Sequence, residues 1–421
     1  MDEQFLYYIW SNKLVKGELT TAEGEAVEIL NNGYRNTDSG PDFKEAKIRI
    51  GNTLWAGNVE IHVRTSDWNR HRHQYDKAYD NVILHVVYEN DTTVNEIPVL
   101  QLKSHFDESL FDNYRNFVNN KKDLACANSI SSIQKFTWLS WLDALIVERL
   151  QKKDETTDKI LNNNTFDWEE AFYKLLLHYM GMKVNNEAFG ALANILPFKA
   201  LQKHADNLTQ VEAMLFGCAG LLNENLTDEY ARLLQREFSI MQAKFDLKTM
   251  PATMWKFMRM RPSNFPTVRI AQIAQFIHQS TPSFSKILNC NNLKEIKSIF
   301  NVGTSPYWET HYRFQTQSPK KVKHIGNTAV NTLIINAVVP LMFAWGKRHE
   351  QSEICDKAIV YLEELMSEDN RITRIFARHG FEPQNAMQSQ ALLTLYKNYC
   401  QKHRCLECRI GNALINNNII N

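Results

Sequence analysis

The hydrophobic period changes once along this 421-residue chain, and that change limits the fold more than any other feature. Up to about residue 105 the apolar residues alternate or run together as they do in strands. AVEILNNG, AKIRIG, TLWAGNVEIHVR, NVILHVVYE and EIPVLQLK are separated by turn-forming residues, and FLYYIWSNKLV before them reads as a short helix. Beyond about residue 130 the spacing is helical, as in FTWLSWLDALIVERLQKK, WEEAFYKLLLHYMG, VRIAQIAQFIHQ and SQALLTLYKNYC. The expectation is α+β overall: an N-terminal α/β domain with an open sheet over residues 1–125, then an all-α helical domain over residues 126–421. Within the second, ETTDKILNNNTFD reads as a loop and NVGTSPYWETHYRF as a turn-rich interruption.

Only 15 Gly and 11 Pro in such a length favour long regular elements. Seven scattered Cys do not make a disulfide scaffold, and MDEQFLYYIWSNK lacks the pattern of a secretion signal, so a reducing, cytoplasmic setting is expected. The most membrane-like stretch, residues 329–345, falls short of the roughly 20 residues a bilayer requires. It reads as a buried helix, broken or kinked at Pro340, with no membrane partner. The net charge of +1 conceals segregation. Residues 255–325 hold eleven Lys or Arg against two acids, a net +9, whereas residues 1–91 hold 15 acids against 10 bases, a net −5.

The densest run of functional residue types lies between Asn36 and Glu89. In TLWAGNVEIHVR, Trp55, Gly57, Val59, Ile61 and Val63 share one parity while Asn58, Glu60, His62 and Arg64 share the other, so one face is apolar and the other chemical. Asp42 and Glu60 are the carboxylates a hard divalent cation prefers, and His62, two residues beyond Glu60, addresses the same face. Two other readings stand beside this one. Gly40-Pro41-Asp42 also makes a good turn, with Glu60 paired to Arg64 on a solvated face. Alternatively His62, His71, His73 and His85, with Asp67 and Asp76 between them, offer the ligands of a Zn²⁺, Mn²⁺ or Fe²⁺ site. Against that, His71 and His73 sit in RHRHQ, where loop histidines commonly meet solvent or an anion, and His85 lies in an apolar strand as a core histidine would. Trp68 and Tyr79 read as packing residues.

Through GPDF, VEIH, SDW-x-x-H-x-H and VILHVV the chain resembles the bacterial family of domains of unknown function numbered 2851. RPSNFPTVRIA and the terminal YC-x4-C-x2-C-x-IG extend that resemblance along essentially the whole chain. The succession of Pro41-Asp42, then Glu60-Ile61-His62, then a helical-looking YDKAYDN and a buried strand also resembles the PD-(D/E)xK, restriction-endonuclease-like nuclease superfamily. That resemblance implies a restriction-endonuclease-like sheet and Mg- or Mn-assisted hydrolysis of nucleic-acid phosphodiesters. Asp42 and Glu60 would hold the ion, His62 would take the superfamily's lysine position to orient or deprotonate water, and Arg64 would steady the phosphate. Histidine in place of lysine is a departure, because imidazole titrates near 6.5 and can be base, ligand or hydrogen-bond partner. A non-catalytic nucleic-acid-binding or scaffold protein with a degenerate site is the alternative.

In WKFMRMRPSNFPTVRIA, Lys256, Arg259, Arg261 and Arg269 are interleaved with Trp255, Phe257 and Phe265. Arg313, Lys320, Lys321 and Lys323 repeat the mixture downstream. Such patches attract phosphate backbones and stack on bases, so nucleic acid is the expected partner, although the patch also suits docking on the acidic first domain. Asn264-Phe265-Pro266 reads as a helix start that offers its N–H groups to a phosphate. Near the C-terminus, Cys400, Cys405 and Cys408 have metal-ligand spacing. His403 or one of Cys126, Cys218, Cys290 and Cys355 would complete four ligands for Zn²⁺ or an iron–sulfur cluster, with a redox pair or plain packing as the other readings.

Overall fold

A computed structural model describes residues 1–93, 97–120, 122–164, 166–222, 225–280 and 283–417. The chain forms two compact units: residues 1–141 with 375–381 and 395–421, and residues 142–374 with 382–394. The first is built on a sheet and the second is helical apart from one short hairpin, which gives the α+β organisation. The units do not follow a single break at residue 125. The C-terminal segment returns to the sheet unit, where Ile415 joins its core and Asn113 donates to the Ile415 carbonyl.

The first unit opens with helix α1 (Glu3–Ser11), which begins where the Asp2 side chain accepts the Phe5 N–H at 2.8 Å. Strands β1 (Leu19–Thr20), β2 (Ala26–Asn31), β3 (Tyr34–Arg35), β4 (Phe43–Ile50), β5 (Thr53–Arg64), β6 (Val82–Glu89) and β7 (Val99–Gln101) follow. Their order is β1-β2-β4-β5-β6-β7, with β3 paired to β4. Pairing is antiparallel as far as β5, and β5–β6–β7 are parallel. The sheet is therefore mixed. Strand β4 alternates buried and exposed residues, as one-sided antiparallel strands do, whereas β6 is buried at every position from Val82 to Val87.

Parallel pairing of β5 with β6 requires a crossover, and residues 65–81 supply it. It consists of a short helix α2 (Asp67–Arg70) and two 3-10 turns, His73–Tyr75 and Lys77–Tyr79, so YDKAYDN is not one regular helix. The expected two-faced pattern of β5 also changes along its length. Trp55 is exposed, but Val59, Glu60, Ile61 and His62 are all buried because β6 and the crossover cover the strand there. Gly57 marks the entry of β6. A Cβ at this position would lie 2.4 Å from Ile83 Cγ2 and 2.7 Å from the Asn81 carbonyl, so only glycine admits the close approach.

In the second unit, the segment expected as a loop at 155–167 is helical as far as Asn163, in a helix that starts at Lys135. Leu150, Asp154, Thr157 and Leu161 form a buried stripe at helical spacing through that segment. Residues 327–348 make one 22-residue helix that is long and apolar enough to cross a membrane, yet 78% of its apolar window is buried inside the protein. A π-helical stretch, Ile334–Val338, absorbs the irregularity around Pro340 without breaking the helix.

Candidate metal centre

The loop before β4 presents the first carboxylate. Gly40 adopts φ 97°, Asn36 Nδ2 donates to the Ser39 and Pro41 carbonyls, and the Asn36 N–H donates to the Asp42 carbonyl at 2.7 Å. Asp42 is thereby held against the middle of β5. Its side chain accepts the Ile61 N–H at 3.0 Å, while its own N–H donates to Glu60 Oε2 at 3.0 Å. Two acids eighteen positions apart share one site. Burial pushes the Asp42 pKa up, against the opposing pull of the Ile61 N–H, the Tyr7 hydroxyl and Arg35. Glu60, 5% exposed, is pushed up to about 8 by burial and then by the charge of Asp42.

The histidines converge on the same carboxylate. His62 Nε2 lies 3.5 Å from Glu60 Oε1, and His73 Nε2 lies 3.4 Å from that same oxygen. His62 Nε2 is also 3.0 Å from His71 Nδ1, and His62, His71 and His73 each bring a ring nitrogen within 4.8 Å of the others. Donors 2.0–2.1 Å from a tetrahedral ion stand about 3.3 Å apart, so these spacings fit a coordination shell. The side chain of His73 is 10% exposed, and its Nε2 is buried without a hydrogen-bond partner. A buried imidazole nitrogen without a hydrogen-bond partner, 3.4 Å from a carboxylate oxygen, leaves its donor or acceptor capacity unused.

Burial disfavours the charged form of His62, His73 and His85. Burial and then the neighbouring His85, His71 and His73 push the His62 pKa down to about 2, and burial and His73 bring His85 down to about 4. His73 is also lowered, chiefly by burial. Neutral imidazole is the metal-binding form. His85, fully buried and level with Glu60 in the β5–β6 register, sits with Nε2 2.9 Å from His62 Nδ1. It orients His62 so that Nε2 faces the cluster, which gives the apparent core histidine a supporting part.

The other predicted residues fall out differently. Arg64 lies at the exposed end of β5 beside Glu89, at 3.9 Å, and does not join the cluster; nor does it pair with Glu60 on a solvated face, because Glu60 is buried. Asp67 accepts the Arg64 N–H and pairs with Arg70, while Asp76 accepts the Ala78 N–H, so both acids shape the crossover. Trp68 is buried with its ring against His73, His85 and Tyr79. Three participants were not anticipated. Glu3 and Tyr7 from α1 reach Asp42 electrostatically, with Tyr7 in a side-chain hydrogen bond, and exposed Arg35 stacks 4.4 Å above the Tyr7 ring.

Among the predicted nucleic-acid contacts, Lys256, Arg259, Arg261, Arg313, Lys320 and Lys321 are exposed. Arg269 and Lys323 are not available to a phosphate backbone, since each is 5% exposed. Lys323 Nζ donates to the Trp308 and Glu309 carbonyls, and Trp255, buried as well, donates from its indole to the Ala219 carbonyl. Arg313 stacks over Phe257 and Phe265 at 4.6 and 5.0 Å, which occupies those rings.

Cys400, Cys405 and Cys408 gather with Cys126, close enough that the charge of one thiolate raises the pKa of another, behind burial as the leading cause. Cys126 is pushed up to about 12 and Cys405 to about 11. The N–H groups of Ile410 and Gly411 lie against the Cys408 sulfur. His403 is exposed, and Cys218, Cys290 and Cys355 belong to the other unit.

Fold and site together define an α+β protein whose mixed sheet carries a histidine–carboxylate cluster fit for a divalent metal. The chain belongs to the family described as Protein of unknown function (DUF2851), whose family model matches residues 3–371. No curated protein and no solved structure matches it.

Proposed function

We propose that the protein is a metal-dependent hydrolase of nucleic-acid phosphodiester bonds, acting in the cytoplasm, where its seven free thiols would stay reduced. The observation that carries the reading is the gathering of His62, His71 and His73 within 4.8 Å of one another, with Glu60 beside His62 and His73 and Asp42 held next to Glu60. The nuclease resemblance implies a strand with Asp42, a strand with Glu60 and His62, a helical segment and a buried strand; β4, β5 and β6 follow in that order, with an irregular crossover in place of the helix. A cation there would polarise a phosphoryl oxygen and lower the pKa of a bound water. With imidazoles beside the carboxylates, Mn²⁺ suits the donor set better than Mg²⁺, which keeps to oxygen ligands.

Glu60, His62 and His73 would hold the ion, Asp42 would complete the charge balance, and His71 would be the donor nearest solvent. Arg35, exposed beside Asp42, takes the phosphate-steadying part first expected of Arg64. The four gathered cysteines would hold a separate structural centre, Zn²⁺ or an iron–sulfur cluster. The exposed cations of residues 256–321 support a second reading, a nucleic-acid-binding protein without catalysis.

Purified protein supplied with Mn²⁺ or Mg²⁺ is expected to cut single-stranded DNA, duplex DNA or RNA, and Asp42→Ala is expected to stop the cutting while the fold persists. Metal-loaded wild type that leaves all three substrates intact, yet binds them with strong salt dependence, would establish the second reading instead.

A further inference from the structure

A second polar site lies in the helical unit, apart from the histidine cluster. A cavity of about 360 Å³ opens between the turn at residues 261–264 and the start of the 22-residue helix at Asn327. Arg261, Ser263, Asn264, Arg269, His324 and Thr328 line it, and no Asp or Glu does among the described residues.

Arg269 is the informative residue. It is 5% exposed, so its guanidinium has lost most of its water. Nη1 donates to Gln272 Oε1 at 3.0 Å and Nη2 to Asn264 Oδ1 at 2.8 Å, but both acceptors are neutral amides. Gln272, 1% exposed, is itself fixed by donating to the Lys323 carbonyl at 3.0 Å. Nε is buried with no partner, and no carboxylate among the described residues forms an ion pair with this side chain. A buried cation without a counter-charge is strongly disfavoured. A guanidinium fixed by two amides, with its charge unanswered and three of its five N–H groups unused, is therefore set up for an anion that comes from outside the chain.

The helix beside it adds to the attraction. Gly326 is its N-cap and carries no capping side chain, so the positive end of a long helix faces the cavity where Gly326, Thr328 and Ala329 line it. Arg261 and His324, both exposed, stand at the mouth. The cavity is also larger than a phosphate group needs.

We propose that this cavity binds a small phosphate monoester, with the phosphoryl group on Arg269 and the helix start and the organic body held at the mouth by Arg261 and His324. The inference is independent of the hydrolase reading, since it uses no residue of the histidine cluster.

Isothermal titration calorimetry on the full chain tests it, with ribose 5-phosphate, adenosine 5′-monophosphate, inorganic phosphate and unphosphorylated adenosine as separate titrants. Both monoesters are expected to bind more tightly than inorganic phosphate, and adenosine is expected not to bind. Arg269→Gln is expected to weaken the monoesters by about 10- to 150-fold, the range for hydrogen bonds to a charged group. Arg261→Gln, at an exposed position, is expected to weaken them several-fold and remains informative if the buried substitution does not fold. No binding of either monoester at millimolar concentration, equal affinity for inorganic phosphate and the monoesters, or affinities unchanged in Arg261→Gln would overturn the proposal.

Discussion

Glu60→Gln is the sharpest test of the buried cluster, because burial and Asp42 disfavour the charged form of the wild-type carboxyl. Burial and Asp42 raise its pKa from 4.5 to about 8 in the metal-free fold, while the unfolded chain keeps the ordinary value. A carboxyl raised on folding is neutral for stability below pH 4.5. It then costs about 1.4 kcal/mol per pH unit until the folded group also ionises. The penalty reaches about 3 kcal/mol at pH 7 and approaches about 5 kcal/mol above pH 8. Gln has no charge to lose and preserves the acceptor for the Asp42 N–H, so the metal-free variant should be more stable than metal-free wild type, by a margin that grows from pH 5 to pH 8. Added Mn²⁺ should reverse the order, since only the wild type gains a carboxylate ligand. Guanidinium denaturation of EDTA-treated protein at pH 5, 6, 7 and 8, with and without Mn²⁺, measures both effects. A metal-free variant less stable than wild type at pH 8, or a difference independent of pH, would refute the reasoning.

Three further outcomes follow from named contacts. His85→Leu leaves His62 Nδ1 without its partner, so metal affinity at the cluster should fall by about 10- to 100-fold in a competition assay with a fluorescent chelator, while the fold is retained. Gly57→Ala places a Cβ 2.4 Å from Ile83 Cγ2, so β6 must shift and denaturation should show a loss of about 1–3 kcal/mol. Cys126→Ser should lower the zinc or iron content of anaerobically purified protein as much as Cys405→Ser does; unchanged metal content in the first with loss in the second would remove Cys126 from the site.

The parts of the fold that were legible in the sequence are those written in local period. The strands around Ile48, Ile61 and Val86 announce themselves by alternation or by continuous apolar runs. Glu60 and His62 were legible as partners because two residues of separation on a strand is a geometric statement. The meeting of Asp42 with Glu60 came from resemblance and chemistry, and the β4–β5 register, Phe43 opposite Val59, is what brings it about. Tyr7, Glu3 and Arg35 left no comparable signal, since their approach to Asp42 depends on how α1 and β3 lie against the sheet. The helix through Asn163 was hidden by its polar composition, although Leu150, Asp154, Thr157 and Leu161 already had helical spacing. There the buried polar residue is answered by Lys347 and Arg348 from a distant helix, a compensation no local window contains. Arg269 and Lys323 looked like surface cations for the same reason: charge is visible in sequence, and the amides and carbonyls that hold it inside are not.

The central claim is that one divalent ion sits among Glu60, His62 and His73. Anomalous diffraction from crystals of Mn²⁺-loaded protein, collected on both sides of the manganese edge, locates such an ion directly. One manganese peak is expected about 2.0–2.3 Å from Glu60 Oε1 and from the Nε2 atoms of His62 and His73. A fully loaded crystal with its manganese elsewhere, and His73 Nε2 still unpartnered, would contradict it.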